Sequence, residues 1–209
     1  MMKRIGFRSV CSGWLLLCVV GVLLLGCTGT SGPATFYLLR STEDASRGSI
    51  STVGGSKNIS ILVGPITLPD YLDRTQIVTV AGEHVMALDE FSRWAESLQE
   101  GFYRVLLEDL SSLLNTPEVY GHDRSGSISA DYQVIIDVTR FDAVPGGNAV
   151  LTAFWSVSSK DGSVPSIRRK SVFRAPVSGA GFGGVVAAQN QTLTAFSREI
   201  AAVIKSLQR

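Results

Sequence analysis

The chain has 209 residues, 45% of them hydrophobic, which is enough for one sizeable core. Its 19 Lys plus Arg against 18 Asp plus Glu leave a formal net charge of +1, so composition offers no electrostatic case for nucleic acid. Cys11, Cys18 and Cys27 are its 3 cysteines, which excludes a disulfide, a thiolate zinc site or a cysteine nucleophile from everything beyond residue 27.

The first 26 residues read as an export signal. Lys3, Arg4 and Arg8 form a basic start, Val10 to Leu25 an apolar run, and Leu24-Leu25-Gly26-Cys27 the junction. An ordinary secretory signal ends A-x-A, whereas a small residue directly before Cys resembles a bacterial lipobox. In that chemistry the Cys27 thiol receives a diacylglycerol thioether, cleavage follows Gly26, and the new amine is acylated. Cys27 is therefore the expected lipid attachment, an N-acyl diacylglycerol group, with no other cofactor. The competing reading is an uncleaved signal anchor, since the apolar run falls just short of a spanning helix. Thr28 stands where Asp would retain a lipoprotein in the inner membrane, which favours the outer membrane with the body facing the periplasm. Residues 27–34, containing TGTSGPA, read as a flexible tether. Residues 35–209 read as a single domain.

Within that domain, Thr35 to Leu39 is a short β-rich run, and Arg40 to Lys57 has the Ser/Gly/Thr content of a mobile loop. Ile59 to Val63, Gln76 to Val80 and His84 to Leu88 read as strands. The stretch Gly64 to Tyr71 contains Pro65 and Pro69 and is read as a non-helical turn. From Asp89 to Asn115, apolar residues recur by threes and fours (Phe91, Trp94, Leu98, Phe102, Val105, Leu106, Leu110), predicting a helix capped by Asp89 and stopped before Pro117. Tyr132 to Phe141, Ala149 to Ser159 and Arg168 to Val177 are separated by Pro-Gly-Gly and Lys-Asp-Gly turns and predict an antiparallel meander. Val134, Ile136 and Val138 fall on one face of its first strand, which helices should cover. Val185 to Leu207 predicts a closing amphipathic helix. The fold class expected is α/β: a mixed β-sheet packed with two main amphipathic helices.

Gly179-Ala180-Gly181-Phe182-Gly183-Gly184 matches G-x-G-x-x-G between a strand and a helix. Dinucleotide binding also needs a following parallel strand ending in an acidic residue. Glu199 instead falls within the helix, so a Gly-rich structural turn is the favoured reading. His84 and His122 lie in polar surroundings without a metal-ligand spacing, and no G-x-S-x-G marks a serine hydrolase. Asp70, Asp73 and Arg74 suggest a structural ion pair more than acid–base chemistry. The whole turn Leu68, Pro69, Asp70, Tyr71, Leu72, Asp73 and Arg74 is a candidate interface, because a proline-stiffened loop presenting an aromatic between charges suits a protein contact. The alternative is that Tyr71 and Leu72 tuck into the core.

Four stretches, GPITLPDYLDRTQIVT (Gly64 to Thr79), EFSRWAESL (Glu90 to Leu98), DYQVIIDVTRFDAVPGG (Asp131 to Gly147) and SREIAA (Ser197 to Ala202), together resemble the ABC-type transport auxiliary lipoproteins of PqiC-like type. The resemblance implies a non-catalytic outer-membrane lipoprotein with a compact α/β domain, able to form a homo-oligomeric ring. Its implied partner is an MCE-domain tunnel protein that conducts lipids or other hydrophobic molecules across the envelope, in support of membrane integrity. A stand-alone periplasmic lipid carrier is the alternative function.

Overall fold

A computed structural model describes residues 32–42, 59–122, 130–162 and 165–208. Cys27 and most of the Arg40–Lys57 segment lie outside the described residues. Residues 34–209 make one compact unit.

The larger of its two sheets has five strands in the order β5-β2-β6-β7-β8. Strand β2 (Ile61–Thr67) pairs in parallel with both β5 (Val119–Gly121) and β6 (Tyr132–Ala143). β6, β7 (Asn148–Ser159) and β8 (Ile167–Pro176) form the expected antiparallel meander. Two helices, α1 (Leu98–Leu114) and α2 (Gly181–Leu207), contact each other and lie on this sheet, α1 towards β2 and β5 and α2 over β6 to β8. They cover the face carrying Val134, Ile136 and Val138, as the alternation predicts. The space between is filled: Phe102 of α1 meets Phe141 of β6 edge-on at 5.3 Å between ring centroids, and Trp155 of β7 meets Phe196 of α2 at 6.0 Å.

A smaller sheet has the order β1-β4-β3. β1 (Thr35–Tyr37) runs parallel to β4 (Val85–Trp94), which forms a hairpin with β3 (Gln76–Gly82). Ile77, Val78 and Trp94 are its buried residues that join the core.

Three expectations change. The helix read from Asp89 begins only at Leu98, and Asp89 to Trp94 is strand. Ser97 is the true N-cap, its Oγ accepting the Glu100 amide at 3.2 Å, while Asn115 closes the helix in the left-handed region with φ 53°. Asp89 performs a cap-like task elsewhere: its Oδ1 accepts the amides of Phe91 and Ser92 at 2.9 and 2.6 Å, holding a bulge in β4. The Gly64 to Tyr71 turn is likewise divided. β2 continues to Thr67 through a cis Gly64–Pro65 bond, with a register shift between Val63 and Ile66, and a 3₁₀ turn follows at Asp70–Leu72. Pro65 is tolerated because β5 pairs only as far as Val63, leaving no ladder bond on that side for Pro65 to donate.

Candidate functional site

The segment Leu68–Arg74 follows directly on β2, so the strand fixes where it sits. Leu72 is 3% exposed and joins the core, and Leu68 and Tyr71 are partly buried against it. The Tyr71 hydroxyl donates to Oδ2 of Asp142 on β6 at 2.9 Å, and Arg140 Nε donates to the other carboxylate oxygen at 2.9 Å. Burial first, and then the Asp142 carboxylate, push the Tyr71 phenol well above its ordinary range. The phenol stays protonated and the bond holds at neutral pH. Its contribution is complete below the ordinary phenol pKa and is lost as pH rises through the folded value. Pro69 is partly buried, while Asp70, Asp73 and Arg74 are exposed and form no ion pair among the described residues, unlike the expected structural pair. The 3₁₀ turn is closed by backbone bonds, with the Asp73 amide donating to the Asp70 carbonyl at 3.1 Å.

Leu72→Ala is therefore expected to cost about 2–5 kcal/mol, the usual range for truncating a buried leucine. Tyr71→Phe should cost about 1–3 kcal/mol by leaving a nearly buried carboxylate with one partner fewer. Urea unfolding of both variants checks the two figures, and a Leu72→Ala midpoint equal to wild type would refute the burial argument.

The turn borders a second feature. Thr67 Oγ1 donates to Asp137 at 2.7 Å, and Asp137 lies on the sheet face opposite the helices. This face is open. The register places Ile135 beside Ser156 and Arg168, Asp137 beside Phe154 and Lys170, and Thr152 beside Val172. Phe154 is 48% exposed, and Lys170 Nζ stands 5.2 Å from its ring centroid, a cation–π contact. Arg168, Lys170 and Arg174 occupy alternate positions on edge strand β8 and face solvent without an ion pair. Arg169, pointing the other way, pairs with Glu199 of α2 at 3.3 Å. Ile135, Asp137, Phe154, Ser156, Arg168 and Lys170 line an open depression of about 370 Å³ on this face. Sequence reasoning missed this basic edge. Its signal was the period-two spacing of Arg168, Lys170 and Arg174, hidden because Arg169 interrupts it.

The Gly179–Gly184 run builds a tight turn from β8 into α2, with Gly179 at φ 87° and Gly181 at φ 72°. Gly184 presses against its own chain, at the Ser178 carbonyl. The adjoining hollow of about 110 Å³ is walled by Pro145, Val177, Phe182, Val185 and glycines, with no charged side chain. His84 lies in the β3–β4 turn and His122 just after β5; among the described residues no three His, Cys, Asp or Glu side chains cluster as metal ligands do.

Residues 37–201 match the family described as ABC-type transport auxiliary lipoprotein component. The chain belongs to that family. Two crystal structures share the fold: one of an uncharacterized protein, with TM-score 0.65, 20% identity and coverage of 83% of this chain and 99% of that one; and protein XCC0632 from Xanthomonas campestris, described by the family model DUF330, with TM-score 0.65, 18% identity and coverage of 84% and 98%. No curated protein matches. As an ABC-type transport auxiliary lipoprotein the chain belongs to a family of transport auxiliary components, a membership that implies partner transport proteins. Among the described residues no helix is long and apolar enough to cross a membrane.

Proposed function

We propose that this auxiliary lipoprotein is a non-catalytic docking component of an MCE-type, envelope-spanning lipid transport system, held at the outer membrane by acyl chains on Cys27. The observation that carries the reading is the one-sided covering of the five-stranded sheet. Both helices are spent on one face, while the other presents Ile135, Phe154 and Val172 beside the unpaired cations Arg168, Lys170 and Arg174. A rigid apolar centre with a charged rim suits a protein partner. A container for lipid would instead put its apolar walls inside, where aromatic side chains fill this fold. The adjoining Leu68–Arg74 turn, pinned through Tyr71 and Leu72, supplies the exposed Asp70, Asp73 and Arg74 at the border of the same face. The MCE-domain tunnel protein is the partner proposed for it, and a homo-oligomeric ring would present several such faces around one tunnel.

The depression beside Phe154 is the observation favouring the carrier alternative, since 370 Å³ lies within the range of small-molecule sites. One experiment separates the two. Full-length protein is solubilised from membranes and captured, and the proteins and lipids retained are identified by mass spectrometry, for wild type and for the triple variant Phe154→Ala, Arg168→Glu, Lys170→Glu. Docking predicts that the MCE-domain protein is retained by wild type and lost from the variant at an unchanged melting temperature. Retention of that partner by the folded variant refutes docking through this face; stoichiometric lipid without any partner supports the carrier.

A further inference from the structure

We infer that the β1–β4–β3 sheet is a membrane-contact edge whose apolar hairpin enters the phospholipid leaflet holding the acyl chains of Cys27. The inference rests on the lipid-anchor reading and adds to it a second, non-covalent contact. Val85, Met86 and Leu88 of β4 are all exposed, Val85 at 57%. Successive strand residues point to opposite faces, so exposure at consecutive positions means that neither face of the ribbon is covered there. Phe91, bulged out by Asp89, and Phe36 of β1, 63% exposed, extend the apolar surface along the same sheet. Single exposed hydrophobes are ordinary, but five on one three-stranded sheet, spread over both of its faces, are exposure of the kind that marks an interaction site.

The occupant follows from how the chain enters. β1 is parallel to β4, with Thr35 opposite Ser92 and Tyr37 opposite Trp94. The polypeptide therefore arrives at Thr35 from the side on which β4 starts, which is the hairpin tip. A segment of eight residues, such as 27–34, spans at most about 28 Å, and the strand from Ser92 back to Val85 covers about 23 Å. A lipid on Cys27 thus has the reach to come level with the tip but little further, and a bilayer is the surface that such a short tether keeps within range of Val85, Met86 and Leu88. The turn itself carries Glu83 and His84, and Glu90 follows further along β4. These polar groups limit entry to the headgroup and upper acyl region, and the Glu83 carboxylate favours a mainly zwitterionic leaflet over a strongly anionic one.

The test uses the full lipidated protein reconstituted into vesicles of phosphatidylethanolamine with a minor share of phosphatidylglycerol. Cys27 is the sole cysteine beyond residue 26 and is blocked as a thioether on the anchor reading, so Leu88→Cys, Phe91→Cys and, as control, the exposed Lys205→Cys each take one polarity-sensitive fluorophore. Melting curves matching wild type confirm folding. The expected result is a blue shift and severalfold brightening at positions 88 and 91 on reconstitution, quenched by phospholipids brominated in the upper acyl chain, with position 205 unchanged. Flotation of the protein with vesicles while both hairpin labels still report water overturns the inference and leaves the anchor standing. Hairpin labels already dry in detergent and insensitive to brominated lipid overturn it in favour of a second copy or a protein partner. Failure to float overturns the anchor, and this inference with it.

Discussion

Gly184→Ala is expected to destabilise the protein, while Gly183→Ala, one residue earlier, is expected to stabilise it. Both glycines lie in the first turn and a half of α2, where exchanging glycine for alanine ordinarily gains about 1 kcal/mol. A Cβ at Gly183 meets nothing within 4 Å, so that gain is kept whole. A Cβ at Gly184 would stand well inside contact distance of the Ser178 carbonyl oxygen and within 3.1 Å of its carbon. Those are backbone atoms, and no rotamer change moves them. Ser178 is fixed from both sides, by Val177, whose amide donates to the Gly147 carbonyl at 2.8 Å, and by the left-handed Gly179 and Gly181. Relief requires displacing either that loop or the start of α2, whose Val185 and Val186 are core residues. Overpacking costs typically about 1–3 kcal/mol and more where backbone must shift. In a domain of this size about 2–4 °C accompanies each kcal/mol, so Gly184→Ala should lower Tm by roughly 2–12 °C and Gly183→Ala should raise it by a few degrees. Differential scanning calorimetry of the two variants reads the opposite signs directly; a Gly184→Ala protein as stable as wild type would mean that the loop yields freely.

The same glycines show what a sequence pattern does and does not carry. G-x-G-x-x-G suggests backbone demands at three places, and the first two, Gly179 and Gly181, do take positive φ. The pattern is silent on what approaches the third glycine, and here that is the chain's own Ser178 carbonyl. The meander and α2 were readable because their signals are local: period-two alternation between glycine turns, and a long stripe of period 3.6. The start of α1 was not readable from its stripe. Phe91, Trp94 and Leu98 happen to fit helical spacing, yet β4 is held by pairing with β3 and β1, which lie at a distance along the chain. The available correction was the capping-box spacing of Ser97 and Glu100, which marks the true start. Asp89 misled because an aspartate offering its carboxylate to nearby amides looks alike before a helix and before a bulge. Two sheets in place of one share this origin, since neither the parallel β1–β4 pairing nor the three-residue β5 has a local signature. As for the candidate surface, the Leu68–Arg74 turn was legible from Pro69, but its division into an inward Tyr71 and Leu72 and an outward Asp70, Asp73 and Arg74 involves Asp142, 71 residues beyond Tyr71.

On the proposed outer-membrane lipid anchor, Cys27→Ala is expected to remove the protein from the outer-membrane fraction altogether. Each acyl methylene buried in a bilayer contributes about 0.8 kcal/mol, so one chain gives reversible binding and two or three hold firmly. Five exposed side chains on a small sheet add contact but cannot substitute for that sum. On the proposed lipid anchor the substitution should act before anchoring as well, because there the Cys27 sulfur would carry the diacylglycerol and cleavage after Gly26 would depend on it. Loss of the thiol should leave either a precursor that begins at Met1 or a body shed into the periplasm. Both are absent from the outer membrane. Separation of the two membranes on a density gradient, followed by mass spectrometry of the N-terminal peptide, distinguishes the outcomes: the wild-type peptide begins at Cys27 and carries acyl mass, and the variant peptide does neither. An uncleaved signal anchor makes the contrary prediction, with wild type and variant alike beginning at Met1 and remaining in the inner membrane, because the apolar run Val10 to Leu25 is the same in both. Comigration of the variant with wild type would therefore exclude the lipid anchor and place the burden of attachment on that run.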